Sequence, residues 1–485
     1  MSDLPAPPAV GLTTAAARTV LAPTAAGSGL AGLLAERLSE AIQLGILLDG
    51  ERLPPEARLA EQLGVSTVTL REALAALRGQ GLVTTRRGRG GGTFVSAPDL
   101  DSGLGRRLRE LSIARLQDLG EHRGAVAVRT ARLAAQRALP GELAELERQL
   151  SRLRAARTAS DRRRAALQFS VGVAAAAQSP RLLLEEHRLA AEVGDLLWLG
   201  ASDDDYAASV EARAALVAAI GRRDPDAAVA IADKQAAGET ARLIGLRLRA
   251  YLADLQNAAA PGLEAVGESL ELLFGVLERL AGALARLAAT QGGAPRRDDL
   301  AALRPAIFQA LTTHRDLAAG AGVITAPDVL ADAPLWLEWW WTTPAGTPEQ
   351  LVVNLDPAAP DFYDYTTAAW YQSAERDGGP QATGPYVDYF CTGEYTITLS
   401  VPVLLDGRFL GVAAADVLAA SLEKLVMPGL LARGGPVALA SQDGRLIAAT
   451  SADAPPDLRV PAGSVLLPSP LLRWRLAQLP GGPAR

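Results

Sequence analysis

The stretch Leu53–Val95, LPPEARLAEQLGVSTVTLREALAALRGQGLVTTRRGRGGGTFV, decides the architecture of the N-terminal part of this chain. Pro54 and Pro55 close the preceding segment and set up a helix start. From Glu56 to Leu63, the apolar Leu59, Ala60 and Leu63 recur at helical spacing. Gly64 supplies a turn, because a residue without Cβ enters the left-handed region without strain. Ser66 and Thr67 both suit the N-cap of a second helix that reaches about Gln80, with Val68, Leu70, Leu74 and Leu77 expected on its apolar side. Gly81 ends it. Leu82 to Thr85 and Thr93 to Val95 are expected to pair as strands around a loop in which Arg86, Arg87 and Arg89 stand among glycines. Two helices joined by a tight turn and followed by a basic hairpin predict a winged helix-turn-helix, which puts its second helix in the DNA major groove. The wing arginines suit phosphates or a minor groove.

Together with the amphipathic segment Leu30 to Leu47, this stretch resembles the GntR family of bacterial transcription regulators. LPPE, LAEQLGVS, LREAL and GLV carry the resemblance. It implies that Arg71, in LREAL, lies on the recognition helix and contacts DNA. Two departures fall where the family touches DNA. Thr67 replaces the arginine usual after the serine of LGVS, and Ala57 replaces the one that often follows the glutamate, with Arg58 one place later. A bidentate arginine on guanine is worth about 1–3 kcal/mol of discrimination, so an operator unlike the family's common half-site is expected. The expected DNA contacts are Arg58, Ser66, Thr67, Thr69, Arg71, Arg86, Arg87 and Arg89.

Length and composition bound the rest. The 485 residues allow about three domains, and the net charge of −6 hides a locally basic wing. Lys234 and Lys424 are the only lysines, a bias read as a GC-rich genome and not as function. One cysteine, Cys391, excludes an internal disulfide framework. No apolar run reaches the roughly 18 residues that span a bilayer. Residues 1–29 are rich in Ala, Pro and Thr and read as a disordered arm without a signal-peptide core. A cytoplasmic protein with no membrane partner is expected.

After the winged head at 30–97, residues 100–251 carry almost no strand signal. Apolar residues recur at helical spacing over Ala125 to Leu139, Glu142 to Leu153, Asp161 to Ala177, Leu182 to Leu197, Ala207 to Ile220 and Pro225 to Leu248. QFSVGVAAAAQSPRLL and ALVAAIGRRDPDAAVAIADKQ resemble the FCD-type helical effector domain of the FadR subgroup. The resemblance implies a metal held by an aspartate and three histidines in many members. Here the histidine places hold Ser170, Arg213 and Gln235, while His122, His187 and His314 fall elsewhere. No metal and no cofactor are expected, and the domain reads as a dimerisation spacer.

Residues 258–485 change texture twice. A long amphipathic helix, Leu263 to Thr290, and a second helix, Asp298 to His314, precede alternating strands and loops that hold most of the aromatics. Candidate strands are Gly322 to Thr325, Trp336 to Thr342, Gln350 to Asp356, Tyr395 to Leu404, Phe409 to Val417, Pro436 to Ser441 and Leu446 to Thr450. Two Asp-Gly turns, within Leu405 to Arg408 and Gln442 to Arg445, are strong hairpin signals. The pattern predicts an α+β layout with a single antiparallel sheet. WLEWWW, Trp370-Tyr371, GPYVDY, YTITLSVPV and GRFLGVAAADV in this order resemble Cache domains, the PAS-like small-molecule sensors of chemoreceptors. The resemblance places Tyr363, Trp370, Tyr371, Tyr386, Asp388 and Asp416 on the amine side of an amino-acid site. Ala368 stands where an arginine would grip the ligand's α-carboxylate, which favours an amine without one. Paired carboxylates and aromatic walls suit an ammonium group on chemical grounds as well.

The chain thus reads as a multidomain regulator: an N-terminal winged helix-turn-helix, an all-α helical bundle and a C-terminal α+β Cache/PAS-like sensor. A homodimer on a palindromic double-stranded DNA operator is expected, controlled by a small effector, an amine, in the sensor. The alternative puts metabolite sensing in the helical domain and makes the Cache-like domain an interaction or dimerisation module. Enzyme activity is not expected, since no phosphate-cradling glycine loop accompanies Lys424.

Overall fold

The computed structural model describes residues 30–43, 52–86, 92–95, 100–257, 262–290, 294–343, 346–389, 392–451, 459–469 and 474–479. The expected arm, and Arg87 and Arg89 of the wing, lie outside the described residues. The chain divides into two units, one running to Glu110 and again over Asp118–Leu243, the other Leu111–Gln117 and Ile244 onward.

In the first unit, α1 (Leu30–Gln43), α2 (Glu56–Leu63) and α3 (Thr67–Gly79) precede the antiparallel hairpin β1 (Val83–Arg86) and β2 (Gly92–Val95). Leu34, Leu38, Leu59, Leu63, Leu70, Leu74 and Leu77 close one core over this head. Gly64 ends α2 at φ 68°, a conformation that only glycine takes readily. Val68 departs from expectation and is 61% exposed. It lies two residues before Leu70, which turns it to the other side of a helix at about 100° per residue.

The helical domain follows: α4 (Leu100–Glu110), α5 (Ile113–Arg137), α6 (Pro140–Ala155), α7 (Ala159–Ala176), α8 (Pro180–Leu189), α9 (Asp203–Gly221) and α10 (Pro225–Asn257). Pro140 and Pro180 occupy first turns, where a missing N–H costs nothing. The expected helix to Leu197 stops at Leu189 and gives way to a π turn, Ala190–Gly194, and a 3-10 turn, Leu196–Trp198. Ala131, Leu146, Leu153, Phe169, Tyr206 and Val217 lie in the shared core.

After the start of α5 and the end of α10, the second unit continues with α11 (Leu263–Thr290), then a 3-10 turn at Arg297–Leu303 and α12 (Arg304–Thr313) where one helix was expected. Its six-stranded antiparallel sheet has the order β5-β4-β3-β8-β7-β6, formed by β3 (Ala318–Thr325), β4 (Leu337–Thr342), β5 (Pro348–Gln350), β6 (Gln381–Val387), β7 (Tyr395–Leu405) and β8 (Arg408–Leu418), with α13 (Ala369–Asp377) between β5 and β6. The Asp406-Gly407 turn between β7 and β8 has φ of 50° and 80°, both positive as a type I′ hairpin requires. Both faces of β7 and β8 are buried. Alternation sends Val412, Ala414 and Asp416 to one face and Ala413, Ala415 and Val417 to the other.

Two expectations fail here. Of the strand expected over Gln350 to Asp356, only Gln350 is in β5, and Leu351 to Asp356 form a loop. A second sheet, β10-β9-β12-β11, adds β9 (Val437–Ala440), β10 (Leu446–Ala449), β11 (Val465–Pro468) and β12 (Arg475–Gln478), so the layout holds two antiparallel sheets, not one.

Between the sheets in sequence runs α14 (Ala419–Leu431), which carries the buried Glu423. Its carboxylate accepts from the single N–H of Ile113, 2.9 Å from Oε1 and 2.8 Å from Oε2, and from the Tyr251 hydroxyl at 2.9 Å. The first turn of α5 is therefore capped by a side chain far along the chain, alongside the local cap from Ser112 to Arg115 N–H at 3.0 Å.

Candidate functional sites

In the winged head, Ser66 is the N-cap of α3. Its Oγ accepts from Thr69 N–H at 3.1 Å and sits 2.8 Å from Thr69 Oγ1. Both hydroxyls are thus engaged in shaping the helix start. Arg58, Thr67 and Val68 are exposed, and Arg71 projects from α3 with its Nε 2.7 Å from Glu56 Oε2. Arg86 lies over the Phe94 ring at 4.8 Å, which steadies the base of the wing. Sequence reading placed Val68 in the core. An exposed apolar side chain at the start of such a helix matches a thymine methyl group.

The helical domain encloses a cavity of about 60 Å³ lined by Arg123, Thr130, Ser170, Arg213, Gln235 and Glu239, among others. Arg123 Nη2 lies 2.6 Å and Arg213 Nη2 3.6 Å from the Glu239 carboxylate, and Gln235 donates to it at 3.0 Å. Burial pushes the Glu239 carboxyl up, but Arg123 and Arg213 outweigh that and hold it below the usual range. Arg213 is 4% exposed and also meets the Trp198 ring at 5.5 Å. Arg213 stands in one of the expected histidine places, and Arg123 shares the cavity with it. They cannot donate a lone pair and they repel a dication, so these residues do not fit a metal. Among the described residues no cluster of His, Cys, Asp and Glu suits a metal ion. His122 pairs with Glu185 at 3.2 Å on the surface, while burial lowers the pKa of His187.

In the sensor unit, a cavity of about 20 Å³ is lined by Tyr363, Trp370, Tyr386, Asp388, Thr398 and Asp416 over an apolar floor that includes Trp339 and Ala414. The structure brings together five of the six residues expected there. Tyr371 lies behind them, 2% exposed, with its ring 5.6 Å from Tyr365 and 5.5 Å from Phe409. Neighbours on a helix point about 100° apart, so Trp370 and Tyr371 serve different surroundings. Register pairs Thr398 on β7 with Asp416 on β8, and the Thr398 hydroxyl donates to Asp416 Oδ1 at 2.6 Å. Tyr386 Oη and Thr398 Oγ1 are 2.6 Å apart, which completes a hydroxyl chain to the carboxylate. Burial is the main cause that lifts the Asp416 pKa from 3.8 to about 7; the Thr398 bond opposes it and the neighbouring Asp388 adds to it. Asp388 is 7% exposed and sits at the hairpin after β6, with Thr392 Oγ1 at 3.5 Å. Sequence reading missed Thr398. Its only signal was its place in the alternation of YTITLS, on the same face as Ser400, whose hydroxyl donates to the Trp370 carbonyl at 3.1 Å.

Comparison with known proteins matches these regions in turn. Residues 30–95 match bacterial regulatory proteins of the gntR family, 118–235 the FCD domain, and 350–424 the first PDC sensor domain of the methyl-accepting chemotaxis protein type. The chain carries a GntR-type head, an FCD domain and a PDC sensor domain. The expected resemblances are borne out in kind and in order. The putative HTH-type transcriptional regulator RmpR of Mycobacterium gastri is 44% identical over 170 residues, 35% of this chain and 62% of that protein. An uncharacterised HTH-type transcriptional regulator of Mycobacterium tuberculosis is 34% identical over 139 residues, 28% of this chain and 57% of that one. The chain therefore spans less than two thirds of the length of these relatives. Among solved structures, the ligand-binding domain of the amino-acid chemoreceptor PctC of Pseudomonas aeruginosa is 22% identical, covering 44% of this chain and 92% of that domain, with a TM-score of 0.29. No helix among the described residues is long and apolar enough to cross a membrane.

Proposed function

We propose that this protein is a transcription regulator whose GntR-type head binds a palindromic operator as a homodimer, and whose PDC domain sets operator affinity by binding a small amine. The observation that carries the ligand reading is the buried Asp416 at the end of the Tyr386–Thr398 hydroxyl chain, beside Asp388. The residues lining that cavity carry two carboxylates and neither lysine nor arginine. An ammonium group entering it would meet charge-assisted acceptors and the Trp370 and Tyr386 rings. At about 20 Å³ the cavity admits about one water-sized probe, so an organic amine requires its lining to yield. Arg58, Thr67, Val68, Arg71 and the wing arginines form the DNA face in this reading.

The test is thermal unfolding of the full chain with a panel of amines, and operator binding with and without any that shift the transition. An amine that raises Tm and changes operator affinity supports the reading, and Asp416→Asn should abolish both effects. A panel with no effect on either measurement removes the amine.

One observation favours a second reading, in which the FCD cavity senses an anionic metabolite. Arg123 Nη1 and Arg213 Nε are buried there without a hydrogen-bond partner, and an unmade bond to a buried charged donor is costly. A carboxylate panel on the same assay decides between the two.

A further inference from the structure

We infer that α11 is a seam between two copies of this chain, packed antiparallel about a dyad at Gly275. The inference is independent of which ligand the PDC domain takes. One face of α11, with Leu263, Leu270, Leu273, Leu277, Leu280 and Leu284, is buried against its own unit. The opposite face reads Glu264, Glu268, Glu271, Gly275, Arg279, Gly282, Arg286. Steps of three and four keep all seven within about 40° of one line along the helix. Leu272 beside them is 65% exposed. Together with α12 this face borders a groove of about 920 Å³, whose lining includes Gly267, Gly275, Val276, Ala306 and Ala310. Such small side chains let a helix approach closely.

The occupant follows from the charge. Every acid of the stripe lies before Gly275 and every base after it. A parallel copy would set glutamates on glutamates and arginines on arginines, and like-charge juxtaposition is costly. An antiparallel copy sets the acidic half on the partner's basic half. Glu271 and Arg279 stand four residues to either side of Gly275, and Glu264 and Arg286 stand eleven, so these two acids each meet a base at the same height, while Glu268 meets Gly282. A self-complementary face of this kind is what an isologous two-fold contact requires.

Site-directed cross-linking of the full chain, in a Cys391→Ser background, tests the inference. Gly275→Cys has room, since an added Cβ would come no nearer than 3.6 Å, to Arg279 Nη1. On the dyad it should form a disulfide-linked dimer under mild oxidation. Glu264→Cys should not link to itself, because two copies lie about 33 Å apart at 1.5 Å per residue, but should link to Arg286→Cys when the two variants are mixed. Self-linking of Glu264→Cys would show a parallel seam and overturn the inference, as would no link from any variant. Charge reversal gives a second reading should Gly275→Cys fold poorly. Glu264→Arg/Glu271→Arg and Arg279→Glu/Arg286→Glu should each lose the Glu264–Arg286 proximity seen by chemical cross-linking, and their mixture should regain it. Retention of the wild-type pattern in either variant alone overturns the seam.

Discussion

The FCD cavity and the PDC cavity each bury carboxylate chemistry, and they resolve it in opposite ways. Glu239 is surrounded by cations, and its pKa falls despite burial. Asp416 is answered by hydroxyls and by another acid, and its pKa rises to about 7. The first arrangement answers its carboxylate from within the fold, although Arg123 Nη1 and Arg213 Nε keep no hydrogen-bond partner. The second is stable only when protonated or when something positive arrives. A buried ionisable group that the surrounding protein leaves underpaid in charge is a candidate for ligand binding, whereas one that the protein has neutralised is a candidate for structure.

The largest expected effect comes from breaking the balanced cluster. Glu239→Ala leaves Arg123 and Arg213 facing each other in a buried site and should destabilise by about 3–5 kcal/mol, read from the denaturant transition of the helical domain. A loss below about 1 kcal/mol, the range of an exposed pair, would mean that the cluster is not the internal charge balance described.

Asp416→Asn should act with the opposite sign. A carboxyl whose folded pKa is raised from 3.8 to about 7 keeps its proton in the folded state after the unfolded chain has lost it. Stability from this group is full below the unfolded value and declines as pH rises towards 7, by up to about 1.4 kcal/mol per unit. The asparagine variant should lack that decline and exceed the parent at pH 8. Stability profiles that run in parallel from pH 4 to 8 would remove the contrast between the cavities.

Ligand affinity sharpens the same point. A cationic amine favours ionised Asp416 and competes with its proton. Its Kd should therefore weaken by up to tenfold per unit as pH falls below about 7, and binding should release protons in calorimetry buffers of different ionisation enthalpy. Affinity that holds constant from pH 5.5 to 7 would place the amine elsewhere.

At the small end stands Arg71–Glu56, an exposed pair. Arg71→Ala should change stability by less than about 1 kcal/mol while weakening operator binding by about 1–3 kcal/mol. A stability loss as large as that of Glu239→Ala would make the pair a structural cluster and not a DNA contact.

Sequence legibility followed the physics of each region. The winged head was readable to within a residue or two because its turn glycine, caps and leucine spacing act locally. Val68 was misplaced because a branched apolar side chain beside a leucine stripe looks like core until its helical angle is counted. The six-stranded sheet was legible at β7 and β8, where runs of apolar residues end in an Asp-Gly turn. By contrast, β6 carries Gly384-Pro385 in its middle, and strand signals fade wherever a ladder donor is missing; it survives as an edge strand with a register shift there. Asp416, Asp388 and Tyr386 stood out as motif residues, but Thr398 is set only by cross-strand register, which no local pattern carries. Arg213 and Gln235 were visible as absences of histidine. That Glu239 and Arg123 complete their cluster depended on tertiary packing.

The cap that Glu423 places on the first turn of α5 has a consequence for the order in which the molecule forms. Donor and acceptor are separated by 310 residues, and a contact of such long range must wait until the intervening chain has closed a very large loop. During synthesis, the helical domain can assemble most of α5 as soon as its own helices have emerged. The N–H of Ile113 gains its acceptor only after α14 has been made and docked. The beginning of that helix is therefore among the last pieces of the fold to be completed.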